Sequence, residues 1–102
     1  MMGKDIHQLT ADMHQFVTEK GWYLPKSKRP QSPKNIAISL VLEASEVMEL
    51  FQWQENKFEQ EKLTDEVADV ALYLFQLCHI CNIDLEEAIQ KKLKKNYARN
   101  WD

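Results

Sequence analysis

The stretch LVLEASEVMELFQW, residues 40–53, is apolar almost throughout yet carries a glutamate at every third position, Glu43, Glu46 and Glu49. In a helix, positions i, i+3, i+7 and i+10 fall within about 80° of one another. That register lines up Glu43, Glu46, Leu50 and Trp53 as one stripe, while Glu49 drifts from Glu43 but stays beside Glu46 and Trp53. The segment thus reads as a helix with an acidic and aromatic edge on an otherwise apolar rod.

The surrounding chain extends the helical reading. Two glycines and three prolines are its only strong breakers, and each falls where a helical pattern stops. Ile6, Leu9, Met13, Phe16 and Val17 predict a first helix over about Asp5 to Lys20, closed by Gly21. WYLPKSKRPQ, residues 22–31, reads as a loop, and Ser32 with Pro33 reads as an N-cap and first turn. The second helix is expected over about 33 to 55. After the charged ENKFEQEKLTDE, which suits a loop or a helix start, EVADVALYLFQLCHI predicts a third helix. Asp84 with Glu87 predicts a capping box opening a fourth helix to about Arg99, with Leu85, Ala88, Ile89 and Leu93 on its inner face. The expected fold is all-α, a four-helix bundle formed by residues 1–102 as a single domain. The second and third helices are apolar beyond one stripe, so a dimer or dimer of dimers is expected to complete the core.

Composition narrows the function. No apolar run reaches the roughly 18 residues of a membrane span, and the N-terminus lacks the apolar core of a signal peptide, so no membrane partner and a cytoplasmic location are expected. Between residues 43 and 87 there are 12 acids against two bases, whereas Lys26, Lys28, Arg29 and Lys34, and then Lys91, Lys92, Lys94, Lys95 and Arg99, cluster on the flanks. An acidic middle argues against tracking a nucleic-acid backbone. Cys78 and Cys81 form a C-x-x-C late in an apolar helical segment, the wrong end for a redox pair and without the further ligands of a zinc site; buried thiols are the better reading.

The acids carry the chemistry. Glu66, Asp69 and Tyr73 form a stripe on the third helix that matches Glu43, Glu46 and Trp53 on the second. A lone helical glutamate ordinarily faces solvent. Here no lysine or arginine stands three or four residues from Glu43 or Glu46, and only Lys62 precedes Glu66 by four. Four facing acids repel and are costly to bury, so a divalent cation is the expected neutraliser. No histidine follows a glutamate by three, which argues against a di-iron site, and all-oxygen ligation favours Mg²⁺ or Mn²⁺ and, with it, phosphate chemistry.

EASE at 43–46 followed by EVAD at 66–69 resembles the E-x-x-E and E-x-x-D signature of the MazG-like nucleoside triphosphate pyrophosphohydrolases. NIAISLVLEASEVMELFQW, DEVADVALYLFQLCHICNIDLEEAI and KKLKKNYARNW look like the dCTP pyrophosphatase branch over about residues 35–101. The resemblance implies a four-helix protomer in a dimer or tetramer that hydrolyses (deoxy)nucleoside triphosphates to monophosphate and pyrophosphate with Mg²⁺. It implies metal binding by Glu43, Glu46, Glu66 and Asp69. Trp22, Trp53 and Tyr73 would surround base and sugar, and Lys92 and Asn96 would reach phosphates or sugar. Beyond the family pattern, Lys34 is expected to steer the polyanion and Glu46 or Glu49 to serve as base for the attacking water. The loop after Trp22 is longer than in that branch, and its base-pocket histidines have no clear counterparts, though His14 lies near one. A phosphoribosyl-ATP pyrophosphohydrolase and a non-enzymatic nucleotide-binding or dimerisation module are the alternatives.

Overall fold

Asp5 begins the ordered helical structure by accepting a hydrogen bond from the Gln8 amide at 2.8 Å while its own amide donates to Gln8 Oε1 at 2.8 Å, a complete capping box. The computed structural model describes residues 3–55 and 57–101. Four helices follow in order: α1 (Ile6–Glu19), α2 (Pro33–Glu49), α3 (Gln60–Ile80) and α4 (Leu85–Ala98), with no strand among the described residues. Gly21 sits at φ 74°, the left-handed conformation that ends α1 and that a Cβ would strain. Ser32 Oγ accepts from the Asn35 amide at 3.2 Å, and Pro33 occupies the first turn of α2.

Two helix boundaries differ from the sequence expectation. α2 ends at Glu49, not near 55, because the chain tightens into three-residue turns: the amides of Leu50, Phe51 and Gln52 donate to the carbonyls of Val47, Met48 and Glu49. Phe51 packs on Phe58, ring centroids 5.4 Å apart, across this turn. Conversely, α3 starts six residues before EVAD, so the charged segment is partly helix.

α3 closes in a Schellman motif. Ile83 N–H donates to the Cys78 carbonyl at 2.8 Å and Asn82 N–H to that of His79 at 3.2 Å, with Asn82 at φ 57° in the left-handed region. This turn swings α4 about 100° from α3. The expected inner face of α4 is therefore not inside the protomer: Ala88, Ile89 and Leu93 are exposed, and only Leu85 is half-buried. The box at Asp84 is also half made. Asp84 Oδ1 accepts from the Glu87 amide at 3.2 Å, but the Glu87 side chain pairs with Lys91 at 2.7 Å.

The core is small. Met13 and Val17 of α1, Ile36 of α2 and Cys78 of α3 are its buried apolar residues, joined by Gln76. Contacts between α2 and α3 run in opposite order, Ile36 near Gln76 and Glu43 near Glu66, so the two helices are antiparallel. Cys81 is exposed, unlike Cys78, and both thiols are free. Burial pushes the Cys78 thiol above its ordinary pKa, against a redox role. The radius of gyration is 16.2 Å, against about 13 Å for a compact chain of this length. The accessible surface is 8593 Å², about 2,600 Å² more than expected for a compact monomer of this mass. Ile38, Val41, Leu42, Met48, Val67 and Leu72 contribute exposed apolar surface along α2 and α3. Among the described residues no single helix is long and apolar enough to cross a membrane.

α4 is tied to α1 by His7, whose ring nitrogens lie 3.2 Å from Asp84 and 3.1 Å from Glu86. The hydrogen bond to Asp84, then the charges of Glu86 and Asp84, raise the His7 pKa. A raised histidine stabilises the fold fully below its unfolded pKa near 6.5, and the contribution disappears as pH rises through the folded value. Thermal melts should show His7→Ala lowering Tm by roughly a few degrees at pH 5.5 and by much less at pH 8, since the pair is solvent-exposed.

Candidate active site

Glu43 and Glu46 stand one turn apart on α2, and Glu66 faces them from α3. One carboxylate oxygen of each can be chosen so that all three lie within 4.8 Å of one another. Glu43 and Glu66 are half-buried, and Glu46 is exposed. Glu43 Oε2 and Glu66 Oε2 are sealed from solvent without a hydrogen-bond partner. Among the described residues, no salt bridge relieves Glu43, Glu46, Glu66 or Asp69; Lys62 instead lies 3.4 Å from Glu59.

The electrostatics follow from this crowding. Burial raises the Glu43 pKa, helped by the close approach of the Glu46 carboxyl group and by the charges of Glu46 and Asp69. Glu66 is pushed up to about 7 by the close approach of the Glu46 carboxyl group, then by burial and by the charges of Glu46 and Glu43. Taking up a proton relieves the repulsion in a cluster that has no ion-paired base among the described residues. Sealed, unpaired, converging carboxylate oxygens are what a hard divalent cation requires of its ligands, so the residues fit such an ion.

Asp69 is exposed and outside the three-residue convergence, yet near enough for its charge to act on Glu43. It lines a cavity of about 150 Å³ with Trp22, Tyr73 and Gln76. Those last three residues also line a second cavity of about 410 Å³, together with Arg29, Gln31 and Asn35. Trp22 packs its ring at 86° against Phe16 with centroids 5.7 Å apart, and the Arg29 guanidinium lies 5.5 Å from its centroid. Thus Trp22, Asp69 and Tyr73 meet at one cavity, with Asp69 one helical turn along α3 from Glu66.

The remaining candidates stand apart within the protomer. Glu49 is the last residue of α2, exposed and outside the cluster. Trp53 lies past the end of α2, beyond the α-helical register on which the stripe rests, and is 86% exposed. Lys34, exposed in the first turn of α2, lines neither cavity. Lys92 and Asn96 ride on α4, which turns away and lends no residue to the acid cluster or the two cavities. Asn96 is half-buried with a sealed, unpartnered Oδ1. His14 belongs to another cleft, of about 370 Å³, with His7 and His79.

Gln76 was missed in the sequence. It is a buried amide between Trp22 and Tyr73, and its signal was available: Glu66, Asp69, Tyr73 and Gln76 continue the i, i+3, i+7, i+10 register, and glutamine is the odd residue in ALYLFQLC.

Comparison with known proteins places this arrangement. Mouse and human proteins described as dCTP pyrophosphatase 1 are each 31% identical over 105 residues, covering 94% of this chain and 57% of their own length. The chain thus spans little more than half of these curated relatives. The crystal structure of a pyrophosphatase from Archaeoglobus fulgidus superposes with a TM-score of 0.73 at 27% identity, covering 94% of this chain and 92% of that one. The MazG-like family model matches residues 38–101, which contain all four acids, Trp53, Tyr73, Lys92 and Asn96. This chain belongs to the MazG-like family.

Proposed function

We propose that the protein hydrolyses nucleoside triphosphates to monophosphate and pyrophosphate, with Mg²⁺ or Mn²⁺ held by Glu43, Glu46, Glu66 and Asp69. The observation that carries this reading is the pair of sealed carboxylate oxygens, Glu43 Oε2 and Glu66 Oε2, that have no partner. A divalent ion bound there supplies positive charge to the triphosphate oxygens and offsets charge developing in the transition state. Trp22 and Tyr73 flank the base, and Asp69 and Glu66 lie one and two turns before Tyr73 on α3. Glu46 or Glu49 accepts the proton of the attacking water. The names of the curated relatives support a deoxynucleotide substrate, dCTP among them.

The site is completed by a second copy. The surplus accessible surface is of the order of a stable subunit interface, and Ile38, Val41, Leu42 and Met48 supply apolar area for one. A homodimer or dimer of dimers would cover those residues and bring α4 of one protomer, with Lys92 and Asn96, toward a neighbour's phosphates; Trp53 and Lys34 have the same need of a partner.

A panel of canonical and modified NTPs and dNTPs with Mg²⁺, with monophosphate and pyrophosphate read separately, tests the reaction. Equal amounts of both are expected, and orthophosphate as the sole direct product would refute it. Sedimentation of the same sample should give the mass of two or four chains.

A further inference from the structure

Gln76 is the polar member of the core, 3% exposed, and it walls both cavities shared by Trp22 and Tyr73. Along α3 it stands ten residues beyond Glu66, about 15 Å at helical rise, with the Tyr73 ring between. A side-chain amide can offer either its oxygen or its NH₂ to a ligand, and which end it offers decides what it recognises.

Here the choice is set from the backbone. The Arg29 carbonyl can only accept, and Gln31 Nε2 donates to it at 2.6 Å. That fixes Gln31 with Oε1 toward Gln76, whose Nε2 donates to it at 2.7 Å. The second Nε2 proton is directed at the Tyr23 hydroxyl, 3.5 Å away, which also lies 3.2 Å from His14 Nδ1. Both donors of Gln76 are therefore committed, and Oε1 accepts no hydrogen bond among the described residues. The side-chain oxygens sealed without a partner are those of Glu43, Glu66 and Asn96. Gln76 Oε1 is not one of them, so it keeps some accessible surface, and Gln76 is a lining residue of both cavities.

We infer that Gln76 reads the base of a bound nucleotide through Oε1, selecting an exocyclic amino group over a carbonyl, and that Gln31 is the positioning residue that fixes its polarity. This rests on reading the site as a nucleotide site. An amino group, as on C4 of cytosine, donates to Oε1. Uracil presents a carbonyl at that place, so two acceptors face each other, and the amide cannot turn over without breaking its bond to Gln31. The smaller cavity, about 150 Å³, is of a size that takes one six-membered ring. The cytosine and uracil pair is therefore the informative comparison.

Binding of dCMP and dUMP, measured by calorimetry without turnover, tests the assignment beside kcat/KM for dCTP and dUTP. The protein should bind dCMP at least about tenfold more tightly than dUMP. Gln76→Leu should bring the ratio close to one, mainly by weakening dCMP. Gln31→Leu frees the amide to rotate and should improve dUMP binding. Damage to the fold would weaken both ligands alike and would not improve dUMP. Equal binding of the two by a protein that hydrolyses triphosphates overturns the role of Gln76 and leaves the proposed reaction standing. Selective dCMP binding that is lost in Gln76→Leu, with no hydrolysis, supports Gln76 and overturns the reaction. Full selectivity in Gln31→Leu overturns the positioning role, and binding of neither nucleotide overturns the role of Gln76 and leaves the reaction to the product panel.

Discussion

Glu66→Gln should fold normally and lose metal-dependent pyrophosphate release by about two to three orders of magnitude, the usual scale for removing a group that stabilises transition-state charge. Glutamine keeps the shape and removes the charge. In the metal-free protein that relieves repulsion from Glu43 and Glu46, so Tm should stay level or rise. The response to metal separates this from a folding defect. An ion at 100 times its Kd stabilises a native state by about 2.7 kcal/mol, roughly 10 to 20 degrees in a domain of this size. The unmodified protein should show that gain with Mg²⁺, and Glu66→Gln and Glu43→Gln should show little of it. Full activity and an undiminished Mg²⁺ shift in both variants would remove the metal site from this cluster.

Acid should weaken metal binding at the same place. The Glu66 carboxyl, pushed up to about 7 in the native metal-free state, holds a proton there that the unfolded chain has already released. Its contribution to metal-free stability is thus fully present below the unfolded value near 4.5 and is lost as pH rises through about 7. A metal ion requires the ionised form, so binding displaces that proton. Apparent Mg²⁺ affinity should climb about tenfold per pH unit up to pH 7 and then level off. Calorimetry in two buffers of different ionisation enthalpy should find close to one proton released per ion at pH 6 and almost none at pH 8. An affinity that is flat from pH 5.5 to 8 would place the ion elsewhere.

Much of the helical structure was readable because its signals are local. Ser32 with Pro33, and Asp84 with Glu87, mark helix starts within four residues, and periodic apolar residues mark the bodies. The errors fell where competing turns decide. Residues 50–54 are as apolar as the helix before them, yet they wind as three-residue turns beneath the Phe51–Phe58 contact. The same limit applies to the site. Glu43 and Glu46 stood out as acids without nearby bases, and Glu66 as one with only Lys62 at helical spacing, a property of spacing along one helix at a time. Gln76 needed Gln31 and Tyr23, 45 and 53 residues away, before its amide acquired a direction.

The sequence by itself determined that the chain is helical, where α1, α2 and α4 start, and which acids stand at helical spacing with few local counter-charges, because capping, periodicity and i, i+3 spacing act over one or two turns. Only the tertiary structure decided that α2 and α3 bring three of those acids within 4.8 Å, that α4 swings away at about 100°, and that the Gln76 amino group donates to Gln31. Those outcomes depend on packing angles and hydrogen-bond partners supplied by distant segments, which no local spacing encodes.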